Sequence, residues 1–268
     1  RLAYEIEALQ LEPAEVGIIY SNADMMFNDA SMHAAYEAYE GTIFNGQKAR
    51  FVLDIMPEAI HDYKMIIAPN VKYVTEATLL NLREYIENGG KVLVFGTDSF
   101  RYNEHDFEHD RQLVEYILNN SEVIDYQGLP GGIQNMTKEE FCSYVREALK
   151  DAGAYYVRVV DTKTGKPAHN IEYNVGVYEG KVIINLANFG EEKTVKIIAG
   201  DKNVEKAVEL RSFENVENSF NLICDENISS IAIITSEFHL KRCMAIIKHK
   251  FPNLEVILIP SIASTNAT

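Results

Sequence analysis

The densest group of side chains able to hold a metal or move a proton is Asn103-Glu104-His105-Asp106-Phe107-Glu108-His109-Asp110. His105 and His109 are four apart, so a helix there would put both imidazoles on one face, as a shared metal ion requires. Acidic residues also gather at helix starts because the dipole favours them, and that explains much of the cluster without a ligand. The expectation is no bound metal and no cofactor, with His105 and His109 as the weak candidate ligands. A second set lies near the end of the chain. In Ile233-Ile234-Thr235-Ser236-Glu237-Phe238-His239-Leu240-Lys241-Arg242, Ser236 would open a helix and set His239 and Arg242 three apart on one face. A helix N-terminus flanked by a His and an Arg is a sound anion site. His33 and His61 stand alone near helices and read as surface or satisfied core groups.

Composition narrows the chemistry further. The chain has 268 residues, 47% of them hydrophobic, and a formal net charge of −15. Neutralising phosphates needs a dense basic patch, so nucleic acid is not an expected partner. The longest apolar runs, such as Val256-Ile257-Leu258-Ile259, are too short to cross a bilayer, so no membrane partner is expected either. Cys142, Cys224 and Cys243 form no CxxC pair and no disulfide framework, and a cytoplasmic location follows as the default. Tryptophan is absent beside 15 tyrosines, which weakens any reading of a sugar-binding aromatic platform. Lys163-Thr164-Gly165 matches a β-lactamase triplet without its Ser-x-x-Lys partner, and a hairpin turn explains it.

The elements that would position these groups fall into two kinds. Val16 to Tyr20 (VGIIY), Arg50 to Ile55, Tyr63 to Ala68, Lys91 to Phe95 and Glu122 to Tyr126 read as buried strands. Helices at Ser31 to Phe44, after an N-cap at Thr75, and around Phe107 to Leu118 alternate with them. Gly89-Gly90 is a C-terminal stop. Such alternation predicts an α/β doubly wound, flavodoxin-like sheet covered on both faces. Gly128, Pro130, Gly131 and Gly132 mark a linker, and Thr137 to Ala152 is an amphipathic helix. Beyond it the period becomes alternating, in strands at Tyr155 to Val160, Ile171 to Tyr178, Lys181 to Asn188, Thr194 to Ile198, Lys206 to Leu210 and Ser219 to Ile223. These predict a small antiparallel β-sandwich with turns at Thr164-Gly165 and Glu179-Gly180. A terminal βαβ segment follows: a strand at Ile231 to Thr235, a helix at Glu237 to Lys250 and a strand at Glu255 to Ile259. The expected division is 1–135, 136–230 with its leading helix, and 231–268.

The order VGIIYSNADMMF, helix, ARFVLDI and YKMIIAPNVKYVTEATLLNLREYIENGGKVLVFGTDSF resembles the middle domain of family 42 β-galactosidases. The tract IEYNVGVYEGKVIINLANFGEEKTVKI likewise resembles their C-terminal β-domain. The resemblance covers roughly residues 1–230, through the order of elements and not through one signature. It implies a class I glutamine-amidotransferase-like fold, a part in trimer formation, and a catalytic barrel elsewhere in the full-length protein that carries both glycosidic carboxylates. Leu2 to Leu11 would be the tail of the helix leaving that barrel. In active amidotransferases the nucleophile follows the strand equivalent to KVLVF on a tight glycine turn, where backbone amides hold an oxyanion. Here Gly96-Thr97-Asp98-Ser99 stands at that place, with no cysteine, and reads as a vestigial turn. Residues 231–260 resemble a fragment of the YdcF-like family (domain of unknown function 218), whose motif reads Thr-Ser-x-x-His-x-x-Arg.

Three functions compete at this point. One is a non-catalytic, oligomerising portion of a β-galactosidase-like hydrolase, a likeness that favours a homo-trimer. Another is a small-ligand-binding protein using the strand ends near Ser21, Pro69 and Gly96, where open sheets bind ligands. The last is an enzyme acting through His239 and Arg242 or through the acidic histidine cluster.

Overall fold

The computed structural model of the chain describes residues 2–126, 136–155, 157–178, 181–199, 204–210, 230–235 and 255–260. Helix α1 (Leu2–Leu11) leads into strand β1 (Val16–Tyr20), helices α2 (Asn22–Phe27) and α3 (Ser31–Ile43), and strand β2 (Ala49–Leu53). A 3-10 turn at Pro57–Asp62 precedes β3 (Met65–Pro69), α4 (Glu76–Glu87), β4 (Lys91–Phe95), α5 (Arg111–Asn119) and β5 (Glu122–Ile124). These strands form one parallel sheet in the order β2-β1-β3-β4-β5, the flavodoxin-like arrangement.

Both faces of the sheet are apolar, as a parallel sheet requires. Val16, Ile18, Met65, Ile67, Leu93 and Phe95 point to one side, and Ile19, Ile66, Ala68, Val92 and Val94 to the other. The second face is covered by Ile60 of the 3-10 turn, by Leu79, Leu82 and Tyr85 of α4, and by Leu113 and Ile117 of α5. The first is covered by Ala34 and Ala38 of α3 and by helix α6 (Lys138–Asp151). Phe141 of α6 stacks on Phe95 at 4.1 Å between ring centroids and 12° between planes. Helix α6, expected to lead the antiparallel strands after it, therefore also completes the sheet before it. The linker residues 127–135 lie outside the described residues.

Local chemistry fixes the ends of these helices. Thr75 Oγ1 accepts from the Thr78 backbone at 3.2 Å, so it caps α4 without the glutamate of a capping box. Gly89 follows at φ +86°, with Gly89 N–H on the Ile86 carbonyl and Gly90 N–H on that of Tyr85, a Schellman ending. Thr137 and Glu140 form a full capping box at the start of α6.

After α6 come β6 (Val157–Asp161), β7 (Ile171–Tyr178), β8 (Lys181–Asn188), β9 (Lys193–Ala199) and β10 (Val204–Leu210). They make two antiparallel sheets, β10-β9-β6 and β7-β8, whose facing residues Val157, Val159, Val195 and Ile197 meet Ile171, Tyr173 and Leu186 in one core. Asp161 Oδ1 accepts from the Lys163 and Thr164 amides, and Gly165 stands at φ +68°, so Lys163-Thr164-Gly165 is a turn. Strands β11 (Ser230–Thr235) and β12 (Glu255–Pro260) pair in parallel. The predicted strand at Ser219 to Ile223, the turn at Glu179-Gly180 and the predicted helix at Glu237 to Lys250 lie outside the described residues. Among the described residues, no helix is long and apolar enough to cross a membrane.

Gly46 joins the two parts. It has φ +77°, and a Cβ there would lie 2.0 Å from the Tyr173 ring. Gly46→Ala should therefore destabilise the fold by about 2–4 kcal/mol, from backbone strain plus overpacking. Gly89→Ala, at a similar φ but with nothing within 4 Å, should lose only about 1 kcal/mol. Urea unfolding of both variants checks the difference.

Candidate functional site

In a sheet of this order, ligands bind beyond the carboxyl ends of the strands, at the switch between β1 and β3. In this chain a network of its own buried side chains occupies that place. Ser21 follows β1 and caps α2, its Oγ accepting from the Asp24 amide at 3.3 Å and donating to Asp54 Oδ2 at 2.9 Å. Asp54 follows β2 and also accepts from the Asn22 amide. Asp24, only 1% exposed, takes the amides of Lys72 at 2.7 Å and Tyr73 at 3.0 Å on Oδ1. Asn28 donates from Nδ2 to the Asp24 carboxylate and to the Asn70 carbonyl at 2.8 Å. Asp24 thus ties α2 to the loop that leaves β3. Burial pushes its carboxyl above the ordinary 3.8, against the lowering effect of these donors.

The turn after β4 lies beside this network. Gly96 has φ +102°, and a Cβ there would come within 2.8 Å of the Tyr126 hydroxyl. That hydroxyl donates to Asn70 Oδ1, and burial raises its pKa. Asn70 itself takes a left-handed φ of 55°, its amide donating to the Phe95 carbonyl at 3.0 Å. The ring of Tyr126 therefore sits over the turn that the resemblance marks for a nucleophile. Ser99 is buried, with Oγ donating to the Phe95 carbonyl at 3.1 Å. Thr97 is exposed, and Asp98 pairs with Lys72 Nζ at 2.8 Å. The Gly96, Ser99 and Phe100 amides donate to the carbonyls of Ile124, Gly96 and Val71, so none of the three is available to an oxyanion. No imidazole stands among these partners.

The acidic histidine cluster does not form the expected helix. Asn103 Oδ1 accepts from the amides of His105 and Phe107, Asp106 takes φ 65°, and α5 starts only at Arg111 with Asp110 as its cap. An Asn side chain that satisfies two amides competes with helix formation, and here it prevails. His105 is exposed, whereas His109 donates from Nε2 to the Val74 carbonyl at 2.8 Å. The shared helical face that motivated a metal is thus missing, and among the described residues no three potential ligands are grouped for one. Ser236, His239 and Arg242 lie outside the described residues, as do Cys224 and Cys243. Cys142 is buried in α6, and desolvation lifts its thiol to about 11, an inert value. A depression of about 380 Å³ lined by Tyr63, Lys64, Tyr85, Gly90 and Lys91 opens at the opposite, amino end of the sheet.

An open parallel α/β sheet with its ligand crevice filled from within, followed by antiparallel sheets, defines a structural module. The family described as Beta-galactosidase trimerisation domain matches residues 48–205, more than half of the chain. The chain belongs to that family. Among solved structures, it is similar to the apo exo-carrageenase GH42 from Bacteroides ovatus, with 18% identity and a TM-score of 0.59 over 78% of this chain and 29% of that one. It is also similar to a catalytic mutant of Gan42B, a GH42 beta-galactosidase from G. stearothermophilus, with 14% identity and a TM-score of 0.53 over 76% of this chain and 40% of that one. The chain thus spans well under half the length of these relatives, and at such identity the likeness shows the fold. No curated protein sequence matches the chain.

Asp24→Ala leaves the Lys72 and Tyr73 amides without their acceptor and should destabilise the fold by about 2–4 kcal/mol. Because the folded-state pKa of Asp24 is raised, the native state binds the proton more tightly than the unfolded chain. The stability this adds is full below about 3.8 and is lost as pH rises through the folded value. The gap between wild type and Asp24→Ala should therefore narrow on going from pH 3.5 to 7, as read by denaturant titration at each pH.

Proposed function

We propose that this chain is the non-catalytic, self-associating portion of a β-galactosidase-like glycoside hydrolase, working as a homo-trimer beside a catalytic barrel in the full-length protein. The observation that carries this reading is the trimerisation-family match lying on a sheet whose ligand crevice is closed by Tyr126, Asn70, Asp24 and Asp54. A class I glutamine-amidotransferase-like ancestry accounts for the glycine turn after β4, and Gly96-Thr97-Asp98-Ser99 is its vestige: the Ser99 hydroxyl is turned inward, and the Gly96 and Ser99 amides already donate within the fold. The α/β unit runs through α6 to about Gly153, because Phe141, Val145 and Leu149 belong to its core. The antiparallel unit follows, and the paired strands β11 and β12 form a sheet of their own after it. A cytoplasmic location suits the inert, buried Cys142 and the sparse cysteines.

Sedimentation of the purified chain over a range of concentrations tests the reading. A reversible assembly converging on a trimer is expected, together with no hydrolysis of a nitrophenyl galactoside and no labelling by a serine-directed fluorophosphonate. A strict monomer, or turnover abolished by Ser99→Ala or Thr97→Ala, would overturn it.

A further inference from the structure

Residues that the assignment of a trimerisation family leaves unspecified are those that touch the next copy. Strand β2 is the end strand of the sheet and pairs only with β1 among the described strands, so its outer backbone edge is open. Natural edges of this kind are blunted or covered. Phe51 stands on it, 44% exposed, opposite Ile18 in register and therefore on the α3 side of the sheet. Its ring stacks on Tyr39 of α3 at 6.1 Å and 20°, and meets Tyr20 edge-on at 5.8 Å. From Tyr39 the apolar surface continues along α3. Met32, Tyr36 and Tyr39 share one helical face by their spacing and are 61%, 56% and 38% exposed.

Large apolar side chains left half exposed along a helix and the adjoining sheet edge form a patch, not scattered singles. Patches beyond a few hundred Å² mark association sites on soluble domains. The carboxylate nearest its inner margin, Glu40, already has partners. Glu40 pairs with Lys138 at 2.6 Å and accepts from the Tyr36 hydroxyl at 2.9 Å. For a chain of net charge −15, a contact between like copies needs a surface that brings no unpaired carboxylate to its centre.

We infer that the α3–β2 face, centred on Met32, Tyr36, Tyr39 and Phe51, is the surface through which one copy of this chain contacts another. The inference rests on the self-association proposed above, which supplies the occupant. Because the contact is apolar and the copies repel at long range, association strengthens as salt is added.

The test uses the 268-residue chain and charge-adding substitutions at exposed positions, where folding is retained and checked by thermal unfolding. Met32→Lys with Tyr36→Lys, and separately Phe51→Lys, also reduce the net negative charge, so any loss of assembly cannot come from greater overall repulsion. Sedimentation should show the dissociation constant rising at least tenfold for each. Leu80→Lys on α4, 51% exposed on the other side of the sheet, should leave it unchanged. A wild type that assembles while both patch variants assemble equally well would overturn this surface and leave the self-association reading standing. A wild type that stays monomeric at every concentration would overturn both.

Discussion

The structure depends on one constraint: a five-stranded parallel sheet must have both faces out of water. Each strand alternates its apolar side chains between the faces, so neither can be left bare. The second face is met by α4, α5 and the 3-10 turn, all of which fall between consecutive strands in sequence. On the first face α3 covers one part, and the remainder waits for α6, which arrives after the last strand. The Phe95–Phe141 stack is the centre of that closure. The two antiparallel sheets are then fixed to the same body. Tyr173 of β7 packs onto Gly46, Gly176 of β7 lies against Leu9 of α1, and Phe189 meets Phe44 edge-on at 6.4 Å.

Much of this was readable from the residues. VGIIY and KVLVF delimit β1 and β4 to the residue, because continuous apolar runs ending in turn formers carry the signal of a buried strand. IEYNVGVY and KVIINLAN likewise delimit β7 and β8. Thr75 and Gly89-Gly90 close α4 for reasons of local geometry that need no tertiary contact. The short helix α2 was not read, since six residues carry no period, although Ser21 three places before Asp24 has the make-up of a cap. Helix α5 starts at Arg111, later than its pattern predicts, because the charges of residues 103–110 suit a helix while Asn103 bonds the nearby backbone.

The polar network at the strand ends was the least readable part. Ser21 is legible as a strand stop and a candidate ligand position, and Tyr126 as a strand end, but nothing local marks Asp24, Asp54 or Asn70 as their partners. Their roles come from separations of 33 to 56 residues along the chain, in contacts such as Ser21–Asp54 and Tyr126–Asn70, which no local pattern encodes. A buried carboxylate with several amide donors signals its position through partners distant in sequence. The glycine turn after β4 is legible in the sequence, but not the Tyr126 hydroxyl that packs against it.

That tyrosine has a consequence for how such a domain can change over generations. Any side chain placed at Gly96 collides with the Tyr126 hydroxyl, and removing Tyr126 first takes that donor from the buried Asn70 Oδ1. Neither substitution is tolerable before the other, so the two positions can vary only as a pair. The strand ends on this side of the sheet are therefore held against single changes, whereas exposed positions on the outside of the domain can vary one at a time.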